Sequence, residues 1–169
     1  MSVTFIILLT LVASAFFSGM EIAFITSNKL RIELESKQGH LSAKIFSYFS
    51  QRTSRYLATM LLGNNIALVV FGIFMDEVLE PYIDPFIPST LLSLLIRTFI
   101  ATMLILVTAE FLPKNIFRIN PNRTLNLFAI PVWIIYFILY PVVFITIEAS
   151  EFILKKIFRV KLEHKNVSF

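Results

Sequence analysis

Apolar residues fall into four long runs, at 3–25, 56–75, 90–112 and 125–147, separated by segments rich in charge and proline. The first run is about 34 Å long if helical at about 1.5 Å per residue. That is enough to cross a hydrocarbon layer of roughly 30 Å. Residues 26–55 differ: Leu30, Ile32, Leu34, Leu41, Ile45, Phe46, Tyr48 and Phe49 alternate with charge, several at helical intervals. This pattern predicts amphipathic helices broken near Gln38-Gly39-His40 and lying along a membrane surface. Residues 76–89 carry four carboxylates, three prolines and no base, and read as a loop. The third run ends at Ala109-Glu110-Phe111-Leu112-Pro113-Lys114, where Pro113 should kink or end the helix and free carbonyls beside Glu110.

Charge placement orients these runs. In residues 26–55 six bases face two acids, and Lys114, Arg118 and Arg123 follow the third run. The positive-inside rule puts both ends in the cytoplasm, the acidic 76–89 connection outside, the N-terminus extracytoplasmic and the C-terminus cytoplasmic. The fourth run is flanked by bases on both sides, with Lys155, Lys156, Arg159, Lys161 and Lys165 beyond it, and is interrupted by Pro131 and Pro141. Hydropathy alone would count four spans. Charge favours three, at about 3–25, 56–75 and 90–112, with juxtamembrane segments at 26–55 and 125–160. The fourth apolar segment is then broken, re-entrant or laid on the cytoplasmic surface.

Composition agrees. The 169 residues are 57% hydrophobic and 15% charged, against about 25% charged in soluble domains. The fold class is an all-α integral membrane protein of the cell membrane, with residues 1–169 as one multi-pass transmembrane domain. With no cysteine there is neither a disulfide framework nor a soft thiolate metal site. Ala13-Ser14-Ala15 resembles a signal-peptidase site, but no base precedes Lys29 and Phe16-Phe17 prolong the apolar run, which argues against cleavage.

Within the spans a few polar side chains stand out. Thr10, Ser14 and Ser18 recur every fourth residue and Glu21 follows, forming one stripe on a helix. Asn64-Asn65 sits near the middle of the second run and Glu110 near the end of the third. Each has an ordinary explanation. Hydroxyls bond their own helix one turn back, amides bridge helices, and a carboxylate near an interface is solvated. Arg97 either snorkels outward or pairs with a loop carboxylate. Jointly, however, Ser14, Ser18, Glu21, Asn64, Asn65 and Glu110 form an oxygen-only set suited to a hard divalent cation, and ionisable or amide groups at this depth commonly mark pathways. No His lies in a span to activate a serine, and no His and Glu stand at metalloprotease spacing, so catalysis is not expected. The bases follow topology, so nucleic acid is not an expected partner.

Three motifs carry a family resemblance. Ser14-Ala-Phe-Phe-Ser18-Gly19-Met-Glu21, Leu62-Gly63-Asn64-Asn65-Ile66-Ala67 and Ala109-Glu110-Phe111-Leu112-Pro113-Lys114 occur in order at suitable spacing. Together they resemble the CNNM/CorC family of magnesium transporters, with Ala109 where glycine is usual. The resemblance implies a homodimer of three-helix subunits and a dehydrated Mg2+ held mid-membrane as cargo. It also implies export coupled to Na+. Carried over by position, the ligands are Ser14, Ser18, Asn64 and Glu110, with a main-chain oxygen near Ala109. Glu21 matches the motif without an assigned role. Family members continue into CBS nucleotide-binding modules; none is present in these residues, so nucleotide regulation is not expected of this chain. A membrane-embedded Mg2+ sensor or scaffold that binds without moving the ion is the alternative function. Selectivity among Mg2+, Mn2+, Co2+ and Ca2+ stays open.

Overall fold

A computed structural model describes residues 2–158, and these are helical almost throughout. Helix α1 (Val3–Thr26) is followed by two short helices, α2 (Lys29–Lys37) and α3 (Leu41–Ser50). The long α4 (Thr53–Ile83) leads through a 3-10 turn (Asp84–Phe86) to α5 (Thr90–Ile105). A π-helical segment (Leu106–Phe111) joins α5 to α6 (Leu112–Ile119), and α7 (Pro121–Phe158) closes the described chain. Four helical stretches, Val3–Thr26, Thr53–Phe86, Thr90–Ile119 and Pro121–Ser150, are long and apolar enough to cross a membrane. The protein is a multi-pass, all-α membrane protein.

Helix α1 is the hub. It runs against α4, α6, the π segment and α7, and its polar stripe faces inward, with Thr10, Ser14 and Ser18 all buried. Close approach of α1 and α4 depends on Gly63, where an added Cβ would stand 2.4 Å from the Phe17 ring. Gly19, expected to admit a close neighbour, faces the Phe117 ring of α6 in the same way. Apolar side chains outside the bundle, among them Leu8, Val12, Val69, Phe99 and Ile138, are exposed. On spanning helices those are the positions that hydrocarbon covers.

Four expectations need correction. Residues 76–89 are not an open loop: α4 runs through Pro81 to Ile83 and the 3-10 turn follows. The acids Asp76, Glu80 and Asp84, spaced by four, therefore share one face. Likewise, α7 continues unbroken through Pro131 and Pro141. Each proline removes one backbone hydrogen bond, and neighbouring helices offset that loss. Leu125, Ala129, Val132, Tyr136 and Val143 form a buried stripe of helical period along it. The 26–55 segment does divide at Gly39, whose φ of 95° suits glycine. Yet α3 does not simply lie on a surface. Its Phe46 and Phe49 enter a core with Phe24, Tyr56 and Tyr136. Phe49 stands 5.0 Å from Tyr56 and 4.9 Å from Tyr136, centroid to centroid, within the range where aromatic pairs attract. Finally, Pro113 does not end its helix but follows the π segment. The basic residues Arg159, Lys161 and Lys165 lie outside the described residues.

Candidate metal centre

The site begins with the two serines of α1. Spaced four apart, they share a face, but they reach different helices. Ser14 is 0% and Ser18 1% exposed, and Asn64 is 8% exposed. The Ser14 hydroxyl donates to Asn64 Oδ1 of α4 at 2.6 Å. The Ser18 hydroxyl donates to the Ala109 carbonyl in the π segment at 2.9 Å. Thr10, on the same stripe, only bonds the carbonyls of Ile6 and Ile7 in its own helix. Thr10 thus bonds its own helix, whereas the two serines bridge to neighbouring helices, as the ordinary reading of Asn64 as an interhelical bridge also expects.

The Ala109 carbonyl is available because of Pro113. In an α-helix this carbonyl would accept from the N–H four residues on, and that residue is Pro113, which has none. The backbone adapts by widening, with the Leu112 N–H bonding the Val107 carbonyl five residues back. Such π turns often stand at functional sites. The expected freed carbonyl beside Glu110 is thus Ala109 O, although no periodicity in the sequence announced a π segment.

Glu110 is set apart from the serine–asparagine pair. Its carboxylate pairs with Lys114 at 3.6 Å, one helical turn on, and it lines a cavity of about 490 Å3 between α4 and α5. Asn65, adjacent to Asn64, is exposed, and Glu21 is half-buried. Among the described residues no three His, Cys, Asp or Glu side chains gather as a metal cluster. A cation between these helices would draw on hydroxyl, amide and main-chain oxygens, with Glu110 as the nearby carboxylate in sequence.

The same cavity exposes a feature that the apparent loop concealed. Arg97 is 7% exposed and faces three carboxylates, Asp76 at 3.4 Å, Glu80 at 3.6 Å and Asp84 at 3.7 Å. Ser93 also bonds Asp84. Of the two sequence readings for Arg97, pairing with a carboxylate is the one found. The four-residue spacing of the acids could have signalled it, had the prolines not suggested irregular structure.

At the basic end, Lys29 donates to the Phe24 carbonyl at 2.9 Å and sits over the Phe24 ring. Burial pushes its amine down to about 8. Ser47 of α3 donates to Glu33 of α2 at 2.8 Å, so the two short helices are tied to each other as well as to the core.

Comparison with known proteins agrees with the motifs. The family model described as "Cyclin M transmembrane N-terminal domain" (CNNM) matches residues 5–168. The UPF0053 protein MG146 of Mycoplasma genitalium is 33% identical over 159 residues, covering 89% of this chain and 36% of its own. The UPF0053 inner membrane protein YfjD of Escherichia coli is 32% identical over 111 residues, covering 65% of this chain and 24% of its own. The chain thus spans about a third or less of the length of these relatives.

Proposed function

Since this chain belongs to the CNNM family, we propose that it moves a hard divalent cation, Mg2+ first among them, through a dehydrated site where α1 meets α4 and the π segment. The observation that carries this reading is the pair of buried serines, each bonded across to an oxygen of a different helix. A cation entering between them would take over oxygens now paired with one another. Ser14, Ser18 and Asn64 would supply three ligands and the Ala109 carbonyl a fourth. Glu110, one residue from Ala109, would supply the charge by turning from Lys114. Magnesium wants about six oxygens near 2.1 Å, so bound water would complete the shell. A carrier-type role fits this oxygen-only set.

The orientation, direction and assembly follow the same reading. Bases on α2, α3 and α6 mark the cytoplasmic end, and the acidic end of α4 faces outward. Transport is export coupled to Na+, as the family resemblance implies. The protein works as a homodimer; the exposed Asn65 amide supports a partner, because an amide at this depth favours a hydrogen-bonding neighbour. One observation favours the sensor reading instead. The aromatic core tying α3 to α1, α4 and α7 is more extensive than a minimal pathway requires.

Flux of Mg2+ in proteoliposomes, with a Na+ gradient imposed in either direction, separates the two. Flux that reverses with the gradient and is lost in Ser18→Ala is expected. Magnesium binding without flux under any gradient would replace the transporter with the sensor.

A further inference from the structure

Arg97 lies about 10 Å along α5 from its start at Thr90, counting about 1.5 Å per residue. It is nearly buried, yet among the described residues its Nε and Nη1 atoms have no hydrogen-bond partner. The nearest oxygens, at 3.4–3.7 Å on Asp76, Glu80 and Asp84, are beyond the roughly 2.7–2.9 Å of a charge-assisted hydrogen bond. A buried charge held this loosely is poorly compensated for its lost hydration. What holds it is charge attraction without a short hydrogen bond, and a competing cation weakens that attraction. Arg97 and Asp76 line the same cavity as Glu110, which lies thirteen residues from Arg97, or about 20 Å along the helix. One end of the cavity therefore carries the carboxylate of the candidate site, and the other carries a guanidinium facing three acids.

We propose that Arg97 with Asp76, Glu80 and Asp84 is a clasp closing the acidic end of this cavity, and that a divalent cation competes it open. Three carboxylates against one guanidinium leave two negative charges in excess, the charge of one divalent ion. With the clasp shut, the Arg97 side chain stands between the cavity and the carboxylates and blocks the way between them. A cation that reaches the carboxylates takes over Arg97's attraction to them, and the side chain swings aside. This rests on the site proposed above, whose Glu110 also lines this cavity and so joins it to the acidic end.

The chain has no cysteine, so a single Ala101→Cys, on the cavity wall between Arg97 and Glu110, reports access. The protein in liposomes is exposed to membrane-impermeant thiol reagents from the acidic side, one cationic and one anionic. Arg97→Gln should speed both severalfold. If it merely removes a charge, the cationic reagent speeds up while the anionic one slows, and the clasp is wrong. Mg2+ on the acidic side should also speed both in the Arg97 protein, but not when Asp76→Asn, Glu80→Gln and Asp84→Asn are combined. Rates indifferent to Mg2+ overturn the proposal. Should Arg97→Gln not fold, Arg97→Lys, which keeps the charge but cannot span three acids, should give the same acceleration to a lesser degree. No acceleration there counts against the clasp. Access that responds as expected in a protein showing no Mg2+ flux would leave the clasp standing and defeat the transport reading alone.

Discussion

Asn64 and Glu110 belong to one motif set but stand in different physical situations. Asn64 is buried and accepts from Ser14. Removing its amide strands a hydroxyl in a dry interior, a loss of about 1–3 kcal/mol. Asn64→Ala should therefore lower the melting temperature in detergent and weaken Mg2+ binding by calorimetry. Asn64→Asp keeps an acceptor oxygen but must be buried as the neutral acid, so it should recover stability only at low pH. Glu110 is partly exposed and, among the described residues, paired only with Lys114, an i,i+4 contact worth about 0.3–0.5 kcal/mol. Glu110→Gln should leave the melting temperature nearly unchanged while abolishing Mg2+ flux. If both variants melt early and transport normally, these residues are packing and not ligands. Residue type and spacing singled out Ser14, Ser18, Glu21, Asn64, Asn65 and Glu110, and the family resemblance narrowed them to Ser14, Ser18, Asn64 and Glu110. That Ser14 meets Asn64 while Glu110 turns toward Lys114 was not legible, because pairings between helices depend on how each helix is rotated.

The π segment and α6 act as one element whose shape follows from Pro113. Pro113→Ala supplies the missing N–H to the Ala109 carbonyl, so Ser18 gains a competitor and the widened turn can relax to α. Stability should hold or rise, because proline in a helix interior is costly, while Mg2+ flux falls. Flux unchanged alongside higher stability would remove the π turn from the mechanism. For α4 and α7 the lesson is complementary. Pro81, Pro131 and Pro141 suggested ends and breaks from local propensity, but packing and the need to satisfy backbone groups in a bilayer carry both helices through.

At the scale of the molecule, the aromatic core couples the short helices to the spans. Phe49 is fully buried against Tyr56, Trp133 and Tyr136. Phe49→Ala should cost about 3–5 kcal/mol and loosen α3, read as lower thermal stability and faster proteolysis between α2 and α4. A substitution that leaves both unchanged would mean that α2 and α3 are independent of the bundle. Lys29 at the same end should titrate near 8, well below 10.5 for a free lysine. Between these values the unfolded chain still holds the proton that the folded chain has released. Its contribution therefore favours folding increasingly as pH rises through this window. Carbon-labelled dimethyl-lysine NMR of the wild type beside Lys29→Met checks the assignment.

Sequence by itself determined the class of this protein, its long apolar helices, the polarity of their flanking charge and the family motifs. These depend on composition and on order along the chain, which bilayer thickness and helix period convert directly into lengths and faces. Tertiary structure decided the rest. It placed Ser14 on Asn64 and Ser18 on Ala109, turned an apparent loop into a helical ladder of acids around Arg97, and drew α3 into an aromatic core. Each of those outcomes depends on which faces meet, and that is set by packing between helices distant in sequence.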